Sequence, residues 1–236
     1  MVRCEFYSCE CERDVAIARS FGFEGEILPV FPNTGGFDLS RIESLKQGGR
    51  TSQRKLIMLK GYKGWAGRSL AGLRALERCA EILRDYEICI YSASENVELA
   101  GALLAESTGI PVRIIPEGTP HVEMLKMFGK ARIAIGLSIG DAISTTFLES
   151  LSMGSFPIQS WTSCANEWIE DGVAGILVPP EDPEVIEKAI RRAVLDDELV
   201  DNAAEENWLT TKERLDDNIL KRETTKLYEY VYETTS

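Results

Sequence analysis

A turn rich in glycine and cations follows an apolar run near residue 55 of this chain of 236 residues. Residues 60–68 read KGYKGWAGR and come directly after the run KLIML and directly before a helical pattern. Glycines let a backbone approach a phosphate closely, and the amino end of a helix offers N–H groups and a partial positive charge. The turn therefore predicts an anion site, with Lys60, Gly61, Lys63 and Arg68 as candidate binding residues. The glycine spacing matches neither the dinucleotide nor the P-loop motif, so a tight strand-to-helix turn with solvated cations remains the alternative.

Two carboxylates, with seven residues between them, occur in the segment IGDAISTTFLES (139–150). Asp141 follows an apolar run, which places it at the binding edge of a predicted sheet. Glu149 falls within the first turns of a helix that begins near Ser144 and Thr145. Carboxylates there can accept hydrogen bonds from sugar or ribose hydroxyls, and the N–H groups at the helix start can hold an anion. The alternative is that Asp141 is a loop or helix-capping residue and that Glu149 lies on a helix surface.

Short apolar runs alternate with helical patterns along most of the chain, and they are the elements that must position these groups. The runs show little polar alternation, which is typical of parallel strands covered on both faces. The sequence therefore predicts an α/β fold with a Rossmann-like, doubly wound parallel sheet, whose ligands bind beyond the carboxyl ends of the strands. Gly109 predicts the end of one helix, and Asp182 followed by Pro183 predicts the start of another. The predicted strands are 26–31, 55–59, 87–92, 111–115, 132–137, 155–159 and 175–178.

Composition restricts the function further. Lys and Arg number 26 against 38 Asp and Glu, giving a net charge of −12, which argues against a broad basic face for nucleic acid. The sequence has no long apolar run typical of a membrane span and no signal peptide at its start, so a cytoplasmic location is expected. Membrane association is not indicated, although a missing domain could provide it.

The cysteines and the single histidine do not suggest a metal cofactor. The chain has six cysteines, expected to be free thiols in a reducing compartment. Those at positions 4, 9 and 11 lack the paired spacing of zinc ligands. The chain also has no Asp-x-Asp pair, and His121 is predicted to open a helix, where capping or surface exposure is the expected role. No metal site and no cofactor are therefore expected.

Residues 149–158, ESLSMGSFPI, and residues 167–180, EWIEDGVAGILVPP, resemble the C-terminal domain of GT-B glycosyltransferases. The family, which includes sucrose-phosphate synthases and bacterial lipopolysaccharide mannosyltransferases, carries a Glu-x7-Glu motif. Here the first glutamate is replaced by Asp141, whose carboxylate reaches one methylene less far, and the second is Glu149. The resemblance is specific over residues 130–194 and extends back to residue 55.

The resemblance implies a role for each candidate residue. Asp141 would bind the donor sugar, Glu149 would hold the ribose, and both are the candidate catalytic residues. The backbone of Ser144 and Thr145 would meet the diphosphate, and the cations of the 60–68 turn would neutralise the leaving group. The loops 92–95 and 116–118 would flank the base. The donor is a nucleotide-sugar, which serves as a substrate, so the resemblance implies no additional cofactor.

The same resemblance implies that the chain is one half of a GT-B enzyme. Residues 1–31 resemble the remnant of a preceding N-terminal domain, 32–54 a linker, 55–199 the nucleotide-sugar-binding domain, and 200–236 a C-terminal helical tail. The implied function is glycosyl transfer, with retention of configuration, from a nucleoside-diphosphate sugar to an acceptor held by the missing N-terminal domain, in cis or in trans. Two alternatives remain open. One is a non-catalytic nucleotide-sugar-binding module, which Asp141 in place of glutamate favours, and the other is a nucleotide-sugar epimerase of the same architecture.

Overall fold

The computed structural model of the chain describes residues 4–32, 34–46, 48–62 and 65–235. The strands are β1 (Phe6–Tyr7), β2 (Glu26–Ile27), β3 (Leu56–Lys60), β4 (Glu87–Tyr91), β5 (Val112–Ile114), β6 (Ala131–Gly136), β7 (Phe156–Ser160) and β8 (Ile176–Val178). The helices are α1 (Glu12–Ser20), α2 (Leu39–Leu45), α3 (Ser69–Arg78), α4 (Glu95–Thr108), α5 (His121–Lys130), α6 (Thr145–Ser152), α7 (Pro183–Leu195), α8 (Asp197–Arg214) and α9 (Asp217–Thr235).

The central element is a six-stranded sheet with the strand order β5-β4-β3-β6-β7-β8. Every pair of neighbouring strands in it is parallel. The chain winds outward from β3 to β5, then returns to the centre at β6 and winds the other way. This is the Rossmann strand order, so the predicted fold is confirmed, and the order reverses between β3 and β6.

Successive side chains of the strands point to opposite faces of the sheet, and this divides the core into two layers. In β3, Ile57 and Leu59 belong to one buried cluster, with residues of α3, α4 and α7. Leu56 and Met58 belong to the other, with residues of α2, α5 and α6. Because successive strand side chains point to opposite faces, an uninterrupted apolar run is needed when both faces are covered.

Two helix boundaries follow the sequence signals closely. The Asp182 side chain accepts hydrogen bonds from the backbone N–H groups of Glu184 and Val185, at 2.9 and 3.2 Å, and Pro183 opens α7. At its carboxyl end, α4 stops at Gly109, whose φ of 75° is readily adopted only by glycine.

The first predicted strand, 26–31, is shorter than expected and lies outside the main sheet. Only Glu26 and Ile27 form β2, which pairs in parallel with β1. Pro29 has no N–H to donate to a ladder, which limits the length of a strand at this position.

The segments on either side of the predicted nucleotide-binding domain pack against it. Phe37 and Ile42 of the 32–54 segment lie in the second core cluster, and Val200 of α8 lies in the first. Phe37 also exchanges backbone hydrogen bonds with the turn between α8 and α9, donating to the carbonyl of Leu215. The division into a linker, a domain and a tail stays a prediction. In the described part of the chain, no helix is both long and apolar enough to cross a membrane.

Arg132, in the middle of the sheet, joins several of these parts. Its side chain is 1% exposed and donates to the carbonyls of Ser52 and Ala193, the latter at 2.8 Å, and to Asp197 at 2.7 Å. A buried guanidinium is costly unless its hydrogens are bonded, and here they hold β6, α7, α8 and the 51–53 turn together.

We expect Arg132→Met to destabilise the protein by about 2–5 kcal/mol, because it leaves buried carbonyls without a donor. The control is Asp197→Asn, which removes the charge of the exposed partner and should cost under about 1 kcal/mol. Urea unfolding followed by circular dichroism measures both. Equal losses of stability in the two variants would show that the ion pair with Asp197, rather than the hydrogen bonds to buried carbonyls, accounts for the contribution of Arg132 to stability.

Candidate functional site

The candidate site lies where the strand order reverses, at the carboxyl ends of β3 and β6. Lys60 is the last residue of β3, and the loop 137–144 joins β6 to α6. The backbone N–H of Ile139 donates to the carbonyl of Ala66 at 2.9 Å, so this loop and the 60–68 turn are joined directly. The two segments that the sequence analysis singled out therefore face each other across the crevice of the sheet.

Lys60 and Asp141 form an ion pair across this crevice. The Lys60 Nζ lies 2.8 Å from Asp141 Oδ2 and 3.1 Å from Ser144 Oγ. The side chains of Lys60 and Asp141 are 12% and 25% exposed. Ser144 Oγ is also 2.9 Å from Thr146 Oγ1, so the ammonium sits at the start of α6. An ammonium group has three hydrogens, and these two contacts leave one for a further acceptor.

Glu149 is buried and pairs with a histidine. Its side chain is 5% exposed, and its Oε1 lies 2.6 Å from His121 Nε2, at the first residue of α5. Burial raises the pKa of the Glu149 carboxyl above its usual value, and the hydrogen bond to His121 opposes that rise. The surface-helix interpretation of Glu149 is thus wrong. His121 is exposed, as expected of a residue that opens a helix, but its contact with Glu149 has no signal in the sequence.

Tyr91 is a second residue that the sequence analysis missed. It ends β4, is 6% exposed, and its hydroxyl faces the side chain of Thr146. Burial raises its pKa above the usual tyrosine value, so it stays a neutral hydroxyl. Its ring packs edge-on to Phe128, with centroids 5.7 Å apart. Its position as a polar side chain at the end of a predicted strand was the one available indication.

Arg68 lies apart from the Lys60–Asp141 pair. Its Nε is 3.3 Å from Glu181 Oε1, and its guanidinium carbon is 5.7 Å from the centre of the Trp65 ring. Arg68 has a φ of 51° and directly precedes α3. Of the predicted cations, Lys60 is therefore placed against Asp141 and Ser144, and Arg68 against Glu181, whereas Lys63 lies outside the described residues.

Gly61 has a packing role. Its N–H donates to the Tyr91 carbonyl at 2.7 Å. A Cβ at this position would lie 2.8 Å from the Cα of Ala93 and 2.8 Å from a methyl carbon of Ile90. The close approach of the turn to the end of β4 therefore requires glycine.

The two loops predicted to flank a base meet at one pocket. Ala93, Ser94 and Glu95 line it from one side and Glu117 from the other, and its volume is about 470 Å³. A larger cavity of about 760 Å³ lies along the β5 edge, and Lys60 and Asp141 line neither of the two pockets. The smaller pocket is the one that adjoins the carboxyl end of the sheet, where ligands of this fold bind.

If packing dictates glycine at position 61, Gly61→Ala should destabilise the protein by about 1–3 kcal/mol even without any ligand. Gly48→Ala is the matched control, since a Cβ there meets nothing within 4 Å and its backbone is not left-handed. Chemical denaturation without ligand gives both values. A Gly61→Ala variant as stable as Gly48→Ala would contradict the packing role and return the residue to the anion-binding interpretation.

A family model described as "Glycosyl transferases group 1" matches residues 75–208, more than half of the chain. Curated protein sequences give no significant match.

Solved glycosyltransferase structures share the fold. Anabaena HepE in complex with UDP and glucose has a TM-score of 0.73 at 15% identity, over 96% of this chain and 63% of that one. The trehalose 6-phosphate synthase of Burkholderia multivorans has a TM-score of 0.78 at 14% identity, over 98% and 61%. The sucrose-phosphate synthase of Thermosynechococcus elongatus has a TM-score of 0.73 at 14% identity, over 98% and 59%.

The chain thus spans less than two thirds of the length of each of these proteins. At such low identity the likeness concerns the fold, and it agrees with the GT-B resemblance of the sequence. Together with the family match over most of the sheet and its helices, it gives one conclusion: the chain belongs to the glycosyl transferases group 1 family.

Proposed function

We propose that this chain is the donor-binding half of a glycosyltransferase, which binds a nucleoside-diphosphate sugar and transfers the sugar with retention of configuration. The observation that carries the proposal is the position of Lys60. Its ammonium lies within hydrogen-bond distance of Ser144 at the start of α6, in the crevice where the strand order reverses. A cation and a helix start that point at one place make a site for a diphosphate.

The chemistry of transfer requires this arrangement. When the sugar–phosphate bond breaks, negative charge develops on the leaving nucleoside diphosphate. The Lys60 ammonium and the N–H groups of Thr145 and Thr146, which have no intrahelical carbonyl partner, stabilise that charge. Because these groups are fixed before the reaction, they need little reorganisation. We assign no metal cofactor to this step.

Glu149 is the residue we assign to the ribose. Its Oε1 is engaged by His121, and its other oxygen, Oε2, is the acceptor for the ribose hydroxyls. His121 acts here as a positioning residue, because it fixes the carboxylate by a bond of 2.6 Å. The pocket between the loops 92–95 and 116–118 receives the base. HepE was solved with UDP and glucose, so UDP-glucose is the first donor to test.

Asp141 is the residue we assign to the donor sugar. In the structure its carboxylate is paired with Lys60, at 2.8 Å. A diphosphate can replace Asp141 as the counter-ion of Lys60, and the carboxylate is then available to a sugar hydroxyl. Binding of the diphosphate and recognition of the sugar are coupled through this one exchange of partners.

The acceptor is assigned to a further domain, present in cis or in trans, because GT-B enzymes react in the cleft between two domains. Assays of the chain with and without that domain separate the alternatives. A transferase makes a new glycoside only with the domain and an acceptor. An epimerase changes the configuration of the donor without an acceptor, and a binding module does neither.

We expect one nucleoside diphosphate among UDP, GDP, ADP, dTDP and CDP to stabilise the chain, by roughly 2.7 kcal/mol at a hundredfold excess over its Kd. Lys60→Met should weaken that binding about 10- to 100-fold, because a charged hydrogen-bond donor is lost. Lys188→Met is the control, since Lys188 also forms an ion pair, with Glu184, but on the exposed face of α7. Thermal shift and calorimetry measure these effects. If none of the five ligands binds, the chain has no nucleoside-diphosphate site and the proposal is wrong, and if Lys60→Met binds as the wild type does, the site is elsewhere.

The two carboxylates should separate nucleotide binding from sugar binding. Asp141→Asn keeps an acceptor oxygen but removes the charge beside Lys60, so it should bind free nucleoside diphosphate at least as tightly as the wild type. It should lose the added affinity for the nucleotide-sugar, a cost on the order of 1.5–3 kcal/mol. Glu149→Gln should weaken the binding of free nucleoside diphosphate and of nucleotide-sugar to the same extent. Calorimetry with both ligands decides, and an Asp141→Asn variant with unchanged preference for the nucleotide-sugar would refute the assignment of Asp141.

A further inference from the structure

Two cysteines from distant parts of the chain lie side by side behind the candidate donor site. Cys11 directly precedes α1, and Cys164 opens a short 3-10 helix that ends at Glu167. The two sulfur atoms and one carboxylate oxygen of Glu167 all lie within 4.8 Å of one another. Cys11 and Cys164 are 0% and 1% exposed, whereas Glu167 is half-buried and marks the side open to solvent.

We propose that Cys11, Cys164 and Glu167 form a binding site for one divalent thiophilic metal ion of the zinc class. Two thiolates and a carboxylate are a donor set that zinc accepts, with a water molecule as the fourth ligand. In a tetrahedral site with Zn–S bonds of about 2.3 Å, the sulfurs are roughly 3.8 Å apart. The three ligand atoms are therefore close enough that small side-chain movements bring them onto one ion.

The surroundings of the cluster fix the position of the Glu167 carboxylate. The two oxygens of Glu167 accept hydrogen bonds from the backbone N–H groups of Glu12 and Arg13, at 3.0 and 3.2 Å. These bonds hold the carboxylate at the first turn of α1 and leave lone pairs directed elsewhere. Two thiolates, one carboxylate and a divalent ion sum to one negative charge. Arg13 is anchored to the carbonyl of Thr162 at 2.7 Å and is itself paired with Asp14 at 3.1 Å.

The ion would connect two parts of the fold that the main sheet does not join. Cys11 belongs to the segment before residue 32, and Cys164 to the loop after β7. The N–H of Cys164 donates to the carbonyl of Ala142 at 2.7 Å, and Ala142 is the neighbour of Asp141. The ion would therefore fix the N-terminal segment to the loop that carries Asp141. This structural role is separate from donor binding and does not depend on it.

The test uses the full chain, stripped of metal by a chelator and kept reduced with a phosphine. We expect Co²⁺ to bind with a stoichiometry of one, to give the visible spectrum of a tetrahedral thiolate site, and to be displaced by Zn²⁺. Both ions should raise the thermal midpoint. Cys11→Ser and Cys164→Ser should lose the thiolate-to-cobalt charge-transfer band. Glu167→Gln, whose amide oxygen can still accept from α1, should bind at least tenfold more weakly.

Cys79→Ser is the matched control, because Cys79 is also buried but lies at the end of α3. It should bind Co²⁺ as the wild type does. Circular dichroism establishes that each variant is folded, and Glu167→Gln keeps the test valid if a buried serine is not tolerated. The proposal is overturned if the wild type binds no Co²⁺ through sulfur. It is also overturned if Cys11→Ser and Cys164→Ser fold and keep the spectrum, or if Glu167→Gln binds with unchanged affinity.

Discussion

The arrangement of the site depends on the need of one largely buried cation for a partner. Lys60 ends β3 with a side chain that is only 12% exposed, and a charge removed from water to that degree requires a counter-ion. Asp141 supplies it from across the crevice, at 2.8 Å. The pair holds the loop after β6 against the end of β3, and it also places a cation at the start of α6. The Lys60–Asp141 pair thus carries no net charge, and an anion that binds Lys60 must be a better partner for it than Asp141 is.

The fold could be predicted well from the sequence because its signals are local. Parallel strands covered on both faces need uninterrupted apolar runs, and each run from residue 55 onward became a strand of the sheet within a residue or two. Asp182 and Gly109 mark helix boundaries for local reasons, Asp182 because its side chain caps α7 and Gly109 because, without a Cβ, it readily adopts a positive φ. The exception is the run at 26–31, which pairs only with the short strand β1 and is interrupted by a proline, so that it forms a strand of only two residues. Apolar composition indicates burial, but pairing depends on which strand is adjacent.

The site could be predicted in part, because strand order fixes which edge a residue occupies but not where its side chain points. Lys60, Asp141 and Ser144 meet, as their positions at strand ends suggested, yet nothing local shows that Lys60 would pair with Asp141. Arg68, only eight positions from Lys60 in sequence, turns instead to Glu181. The contacts of Glu149 with His121, and of Thr146 with Tyr91, join different helices and strands. The cysteine cluster could not be predicted from the sequence either, because Cys11 and Cys164 are too far apart along the chain to match any metal-binding spacing motif.

Aspartate at position 141 has a consequence beyond a shorter reach. In the family pattern this position is a glutamate, whose carboxylate would extend one methylene further from the loop. The aspartate carboxylate stays close to its backbone, where it meets the ammonium of Lys60, and the neighbouring Ala142 is held from behind by the N–H of Cys164. The loop is therefore held on both sides, by an ion pair toward the crevice and by a backbone bond to Cys164. Since the two contacts act on adjacent residues, we expect a change in either of them to move the carboxylate that we assign to the sugar, although neither Lys60 nor Cys164 is assigned to the sugar itself.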